Sequence, residues 1–109
     1  MIARIWRTRV NTARMAEYER FARTRSLPMF RQQVGWLGVL FLRGAKDCAT
    51  LSLWENMEAV ERLATSPTYQ QTVHEIESTG LLEGQASVEV FEVFVGALNV
   101  EALASALTD

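Results

Sequence analysis

The sequence predicts a single α+β domain in which a four-stranded antiparallel sheet carries helices on one face. Three observations predict it. The chain has 109 residues, enough for one core. Of these, 49% are hydrophobic and 22% are charged, which is typical of a globular domain. Apolar residues change between strand and helix spacing in the order strand, helix, strand, strand, helix, strand, which right-handed crossovers fold into one sheet.

The first strand and the first helix are predicted from a change in spacing. Residues 2–10, IARIWRTRV, are rich in Ile, Val, Thr and Trp and alternate loosely, as a strand does. Asn11 or Thr12 can cap the helix that follows. One face of this helix has apolar residues three and four positions apart: Met15, Tyr18, Phe21 and Ala22. Pro28 disfavours helical geometry at the residue before it, so we expect the helix to end or kink near residues 25–26.

A hairpin and a second helix follow. WLGVLFLR, residues 36–43, is apolar at nearly every position, which predicts a strand covered on both faces. GAKD supplies a turn, and CATLSLWE, residues 48–55, supplies the returning strand. Asn56 can cap the next helix, which we expect to run to about Thr65.

The last part of the domain combines one more helix with a closing strand. Ser66 is a suitable cap, and Pro67 suits the first helical position. The apolar stripe of this helix is Tyr69, Val73 and Ile76. Gly80 and Gly84 are expected to bracket a loop, and residues 86–95, ASVEVFEVFV, are predicted to form the last strand.

This order of elements is the ferredoxin-like βαββαβ arrangement, and it leaves one face of the sheet bare. Residues 36–43 have few polar positions on either side, and a large contiguous apolar patch is rare on a monomer. We therefore predict a homodimer in which two sheets pack face to face. Residues 96–109 form a tail beyond the domain of residues 1–95; its apolar spacing is helical but too weak for a stable helix alone, so we expect it to dock on the dimer.

Composition and missing motifs exclude several classes of function. The net charge of −2 and the mixed charge pattern argue against a nucleic-acid partner. There is no signal-peptide core and no apolar run long enough for a membrane span, so we expect a cytoplasmic protein with no membrane partner. Cys48 is the only cysteine, and no His/Cys/Asp cluster has metal spacing, so no metal site is predicted. No glycine-rich phosphate loop follows a strand.

Four segments and one tyrosine carry a resemblance to a known family: IARIW at the start, Tyr18 in the first helix, GWLGVLFLR, LSLWENMEAV and the closing VEVFEV. Together they resemble the antibiotic biosynthesis monooxygenase family of dimeric α+β barrels, over most of residues 1–95. The resemblance implies a ligand cleft between sheet and helices in each subunit. It also implies, for some members, oxidation of polyketide-like aromatic molecules by molecular oxygen with no metal or flavin cofactor.

A haem-degrading branch of the wider superfamily has a similar layout but different residues. The resemblance implies that this branch has an asparagine, a tryptophan and a histidine where this chain has Trp6, Leu63 and Val73. His74 is one residue away from the third position, which is about 100° around a helix and points it towards the polar side. Haem degradation is therefore disfavoured, and His74 is interpreted as a solvated residue.

Six residues are candidates for substrate binding, and no catalytic residue is assigned: Arg4, Trp6, Phe21, Arg25, Trp54 and Tyr69. Arg4 shares strand parity with Trp6, and Arg25 shares a helical face with Phe21, so either guanidinium could stabilise an anionic aromatic ligand. Four of the six residues also have a structural alternative. Trp54 suits packing at the strand-to-helix turn, Trp6 could plug a cavity, Tyr69 could bond a backbone carbonyl, and Arg25 could complement a helix C-terminus.

Two hypotheses of different class remain open. In the first, the protein is a cofactor-independent monooxygenase acting on a small aromatic or polyketide-like molecule. In the second, the same dimer is a non-catalytic ligand-binding or regulatory module whose cleft is filled by its own side chains.

Overall fold

A computed structural model describes residues 1–108 and has four strands and five α-helices in that range. They are β1 (Ile2–Val10), α1 (Met15–Phe21), α2 (Leu27–Arg31), β2 (Trp36–Arg43), β3 (Asp47–Trp54), α3 (Met57–Thr65), α4 (Pro67–Ser78), β4 (Leu82–Glu92) and α5 (Val100–Leu107). The strands form one antiparallel sheet in the order β2-β3-β1-β4. The predicted ferredoxin-like α+β fold is therefore confirmed, and the sheet of one chain is open rather than closed into a barrel.

Strand alternation divides the side chains of the sheet between two faces. In β3, Cys48, Thr50, Ser52 and Trp54 are buried beneath the helices, while the residues between them face the other way. The opposite face carries an apolar set drawn from all four strands: Ile5, Leu40, Leu42, Leu51, Leu53 and Phe91. Leu42 and Phe91 remain 46% and 50% exposed. Within one chain the second face of β2 is uncovered, so the predicted cover on both faces stays a prediction about a partner copy.

The helical segment that follows β1 changes its geometry shortly before Pro28. A wide π-helical turn, Ala22–Ser26, joins α1 to α2, and the Leu27 N–H donates to the Ala22 carbonyl, five residues back. Pro28 lies in the first turn of α2 and has no N–H to donate to the turn that precedes it. The end or kink predicted near residues 25–26 takes the form of a widened turn, after which the chain continues as the short helix α2 to Arg31.

The last strand also differs from its predicted bounds. β4 runs from Leu82 to Glu92, so Gly84 lies inside the strand. Gly84 has a φ of 81°, and the pairing of β1 with β4 shifts register between Arg7 and Arg9. A glycine with positive φ at a register shift is typical of a β-bulge. Three residues of the predicted strand 86–95 lie beyond its end: Val93, Phe94 and Val95.

The starts of the two middle helices follow the predicted caps. The Asn56 side chain accepts a hydrogen bond from the Ala59 N–H at 2.9 Å, and the Ser66 hydroxyl accepts one from the Tyr69 N–H at 3.4 Å. Gly35 lies at the start of the hairpin with a φ of 81°, and a Cβ there would be 2.6 Å from the Cβ of Ala59. The absence of a side chain at this position allows α3 to pack closely against the sheet.

The interior consists of two apolar clusters. One surrounds Trp54 and includes Phe30 and Leu63; the other surrounds Val10 and includes Tyr18 and Ile76. Side chains of both clusters line a cleft between the sheet and the helices. Within residues 1–108, no helix is both long and apolar enough to cross a membrane.

Candidate functional site: a cleft between sheet and helices

The cleft has a floor of sheet residues and a roof formed by the helical segment 15–31 and α4. The floor residues are Arg4, Trp6, Phe41 and Thr50; the roof residues are Tyr18, Phe21, Ala22, Ser26, Met29, Phe30, Tyr69, Thr72, Val73 and Ile76. The space between these side chains is about 480 Å³ with its open mouth included, of which water could fill about 50 Å³. The walls are mainly aromatic and aliphatic with a few polar groups, as in most small-molecule sites.

Elementary geometry explains why these residues meet. Arg4 and Trp6 are two positions apart in β1 and therefore point to the same face of the sheet. Thr50 is the cross-strand neighbour of both Trp6 and Phe41, so the floor is continuous from β1 to β2. In α4, Tyr69, Thr72, Val73 and Ile76 recur at three and four residues and form one stripe above this floor.

A buried arginine is the main charged group of the cleft. Arg4 is 7% exposed, and its Nη2 donates a hydrogen bond of 2.7 Å to the Tyr69 hydroxyl. Its Cζ also lies 5.3 Å from the centre of the Tyr69 ring, within the range of a cation–π contact. The five ion pairs formed within residues 1–108 do not include Arg4. Because a guanidinium has five N–H donors, Arg4 keeps donors available for a ligand.

Two tyrosines add hydroxyl groups to the cleft. The Tyr69 oxygen accepts from Arg4, which leaves its own proton free to be donated to a bound molecule. Burial raises the pKa of Tyr18 to about 12, so this phenol is protonated at neutral pH and acts as a hydrogen-bond donor. The lining contains no carboxylate and no imidazole, so the site can stabilise an anion but holds no conventional general base.

Four of the six predicted site residues line the cleft: Arg4, Trp6, Phe21 and Tyr69. The structure places the other two elsewhere. Arg25 lies in the wide turn and is exposed, and its Nε donates to Glu75 Oε2 at 2.8 Å. Trp54 is fully buried under α3, where its Nε1 donates to the Ser52 hydroxyl at 2.9 Å. Neither side chain is among those that line the cleft, so their predicted placement there is corrected.

The physical reasons for these two corrections differ. The wide turn of residues 22–26 changes the helical register, so Arg25 does not share the face of Phe21 as regular spacing implied. Trp54 does point towards the helices, but it lies at the end of the sheet, where Phe30 packs against it with ring centres 6.3 Å apart. His74 is exposed on α4, as interpreted from the sequence.

Sequence reasoning missed several cleft residues, most importantly Thr50, Phe41 and Thr72. A signal existed for Thr50, because it alternates with Cys48 and Ser52 on the face opposite the leucines of β3. The position of Phe41 depends on how β2 pairs with β3. This pairing shifts register between Trp36 and Gly38, so the sequence alone did not show that Phe41 lies beside Thr50. No group of three His, Cys, Asp or Glu side chains within residues 1–108 could hold a metal ion.

Comparison with known proteins shows which solved structures have a fold similar to that of this chain. No family model matches the chain, and no curated protein matches it. Among solved structures, the fold is similar to the monooxygenase from the gene ActVA-Orf6 of Streptomyces coelicolor in complex with the ligand nanaomycin D. That similarity has a TM-score of 0.77 and 14% sequence identity, and it covers 89% of this chain and 90% of that one.

Two further structures support the same class. A mutant form of SnoaB, a cofactor-independent oxygenase from Streptomyces nogalater, has a TM-score of 0.68 at 18% identity, with 87% of this chain and 94% of that one covered. A putative antibiotic biosynthesis monooxygenase from Nitrosomonas europaea has a TM-score of 0.72 at 10% identity, covering 87% and 100%. The resemblance to antibiotic biosynthesis monooxygenases is confirmed at the level of the fold.

Proposed function

We propose that this protein is a cofactor-independent monooxygenase for a small phenolic or enolic, polyketide-like aromatic molecule bound in the cleft. The observation that carries the proposal is the buried Arg4 guanidinium, which faces an aromatic-lined cleft and pairs with no carboxylate of residues 1–108. A buried charge is costly unless it is compensated, so this arginine favours an anionic ligand. The similarity of the fold to oxygenases such as SnoaB supports the same class of reaction.

Arg4 would promote the reaction by stabilising the substrate anion. A phenolate or enolate gives one electron to O₂ far more readily than the neutral molecule does. The resulting carbon radical and superoxide combine to form a C–O bond, and loss of water from the hydroperoxide leaves a ketone. The balance for a ring methylene is R₂CH₂ + O₂ → R₂CO + H₂O, which needs no other reductant. The cleft would hold the rings in place and lower the pKa of the bound phenol.

The lack of a general base limits the substrates that the cleft can use. Neither a carboxylate nor an imidazole lines it, and burial keeps Tyr18 protonated. The substrate must therefore lose its proton to water or through the Tyr69 hydroxyl while Arg4 stabilises the product anion. We expect phenols and enols that are already acidic, because a single nearby cation lowers a pKa by about one to three units.

An oxygen-consumption screen tests the proposal. The panel comprises hydroxyanthrones and related phenols, each assayed with the wild-type protein and with Trp6→Ala. Trp6 lines the cleft, so its loss should raise KM for every active substrate. Arg25→Met is the control, since Arg25 lies outside the cleft. The absence of oxygen uptake above background with every compound would contradict the proposed reaction.

The non-catalytic alternative is favoured by one observation. The part of the cleft that water could fill is only about 50 Å³, which is less than an aromatic ring occupies. If the helical segment 15–31 and α4 keep their positions, the side chains that line the cleft occupy most of it, and the protein binds only small ligands or none. Saturable binding of phenols with no oxygen uptake would support this alternative.

We also propose that the protein is a homodimer formed by the open faces of two sheets. Support comes from the apolar set on that face, which lies outside the core of a single chain. Leu51→Glu introduces a charge at its centre, next to Leu40 and Ile5. Because burying an unpaired carboxylate is costly, we expect this variant to be a monomer in light scattering at micromolar concentration. Val34→Glu, at a 66% exposed loop position, is the control. A wild-type monomer would contradict the dimer.

The C-terminal tail, residues 96–109, is proposed to be separate from the domain of residues 1–95 and to dock on the partner copy. α5 has no buried residue, and Leu98, Val100 and Leu107 are each at least 60% exposed. An eight-residue helix is unstable alone in water, so α5 needs a contact. We expect slow amide exchange in residues 103–107 at dimeric concentrations. Exchange at the rate of an unfolded peptide throughout the tail would contradict docking.

A further inference from the structure

We infer that the ligand of the cleft is longer than the cleft itself, and that Ala22 determines how long it can be. A second cavity lies between α1 and the β2–β3 edge of the sheet. Water could fill about 450 Å³ of it, compared with about 50 Å³ of the cleft. This inference rests on the proposed function, because it takes the cleft to be the site of an aromatic ligand. It adds a second compartment and a residue that controls access to it.

The two cavities share one wall. Tyr18, Ala22 and Phe41 line both of them, so these three side chains separate the compartments. Two of the three are large aromatic residues, whereas Ala22 contributes a single methyl group. Ala22 begins the wide turn that Pro28 follows, and it is 7% exposed. The thinnest part of the wall is therefore Ala22, and a leucine side chain there would thicken it.

The second cavity, like the cleft, has an excess of positive charge, since Glu19, Arg23 and Arg43 all line it. Its inner surface is apolar, with Met15, Leu27 and Phe41, while Arg23 and Arg43 lie at its edge. Arg43 pairs with Glu19 at 2.6 Å, and Arg23 is in none of the five ion pairs formed within residues 1–108. An apolar arm that ends in an anionic group fits this arrangement. The arm would contact the apolar inner surface of the second cavity, and the anion would pair with Arg23. The ligand class is thus a phenolic ring system with an acidic side chain several carbons long.

Binding of two probes to three variants tests the inference by calorimetry. The short probe is 1-naphthol, and the long probe is the same ring with a butanoate arm at carbon 4. Ala22→Leu should weaken both probes, because Ala22 also lines the cleft, but it should weaken the long probe about tenfold more than the short one, since hydrophobic fits discriminate by such factors per added group. Arg23→Gln should weaken only the long probe. Ala64→Leu, at an exposed position of α3, is the control and should change neither.

The outcomes separate this inference from the function on which it rests. If the wild type binds neither probe, the proposed aromatic site fails and the second compartment fails with it. If the wild type binds 1-naphthol but the arm adds no affinity, only the inference is overturned. An equal loss for both probes in Ala22→Leu would likewise overturn it, since the residue would then support the cleft rather than set its length. Arg23→Gln keeps the test valid if Ala22→Leu does not fold.

Discussion

Replacing Arg4 with methionine is expected to lower turnover by about a hundredfold or more, because removing one preorganised donor to a developing anion typically has an effect of this size. The folded protein should be at least as stable as the wild type. Arg4 is buried with a tyrosine hydroxyl as its hydrogen-bond partner, and methionine keeps an unbranched apolar stem while it removes an unneutralised charge from the interior. A loss of activity with no loss of stability would identify Arg4 as a binding residue rather than a structural one.

The role of Arg4 can also be tested by measuring the pKa of a bound ligand, without measuring turnover. A phenol whose absorption spectrum changes on ionisation reports the pKa of the bound molecule directly. With the wild type we expect this pKa to fall by about one to three units on binding, and with Arg4→Met we expect the fall to disappear, because a nearby cation favours the ionised form. The sign follows from the charge: a positive group stabilises the anion, so bound ligand ionises at lower pH than free ligand.

Arg25→Met is the matched control for both measurements. The residue change is the same, but the Arg25 side chain is exposed and paired with Glu75 outside the cleft. Exposed ion pairs contribute little to stability, so this variant should keep both turnover and the shift in ligand pKa. Equal effects of the two substitutions would contradict the assignment of Arg4, since net charge alone would then explain them.

Arg4 and Arg25 show which side-chain positions can be predicted from the sequence and which cannot. Arg4 was placed correctly because strand alternation depends on local geometry alone, and β1 is regular between Ile2 and Arg7. Arg25 was misplaced because helical spacing assumes a constant 3.6 residues per turn. The wide turn of residues 22–26 breaks that assumption, and it arises from how the chain accommodates Pro28 between two packed helices. The presence of a proline signals a disturbance but does not say whether the helix ends, kinks or widens.

The strands and the caps show the same contrast between features that depend on local sequence and features that depend on distant contacts. Asn56 and Ser66 were assigned as caps, and both accept the expected backbone hydrogen bonds, because capping involves residues close in sequence. Gly84 was assigned to a loop, since glycine is frequent in loops and bulges alike. Only the pairing of β4 with β1 shows that the strand begins at Leu82 and continues through a bulge. The sequence therefore could not predict the features that depend on contacts between distant segments.

The cleft illustrates a further limit. Its aromatic character was predictable, because Trp6, Phe21 and Tyr69 lie on faces that the sequence defines. Its size was not, since the volume depends on how the two apolar clusters, around Trp54 and around Val10, pack relative to each other. Nor did the sequence reveal that Arg4 and Tyr69 form a hydrogen bond across 65 residues.

Replacing Trp54 with alanine is expected to reduce the free energy of unfolding by about 3–5 kcal/mol, because truncating a fully buried aromatic side chain removes its packing and leaves a cavity. The loss should be large for this protein, since domains of this size are stable by only about 5–15 kcal/mol. The Ser52 hydroxyl also loses the indole N–H that donates to it. Urea unfolding followed by far-ultraviolet circular dichroism measures the change.

Trp6→Ala is the matched comparison, since both variants truncate a tryptophan on the helix side of the sheet. Trp6 is only half-buried and lines the cleft, so its removal should cost roughly 1–2 kcal/mol, less than a fully buried side chain. It should instead weaken aromatic ligands, whereas any Trp54→Ala protein that remains folded should bind them nearly as well as the wild type. The opposite pattern, with Trp54 controlling binding and Trp6 controlling stability, would mean that the cleft described above is not the ligand site.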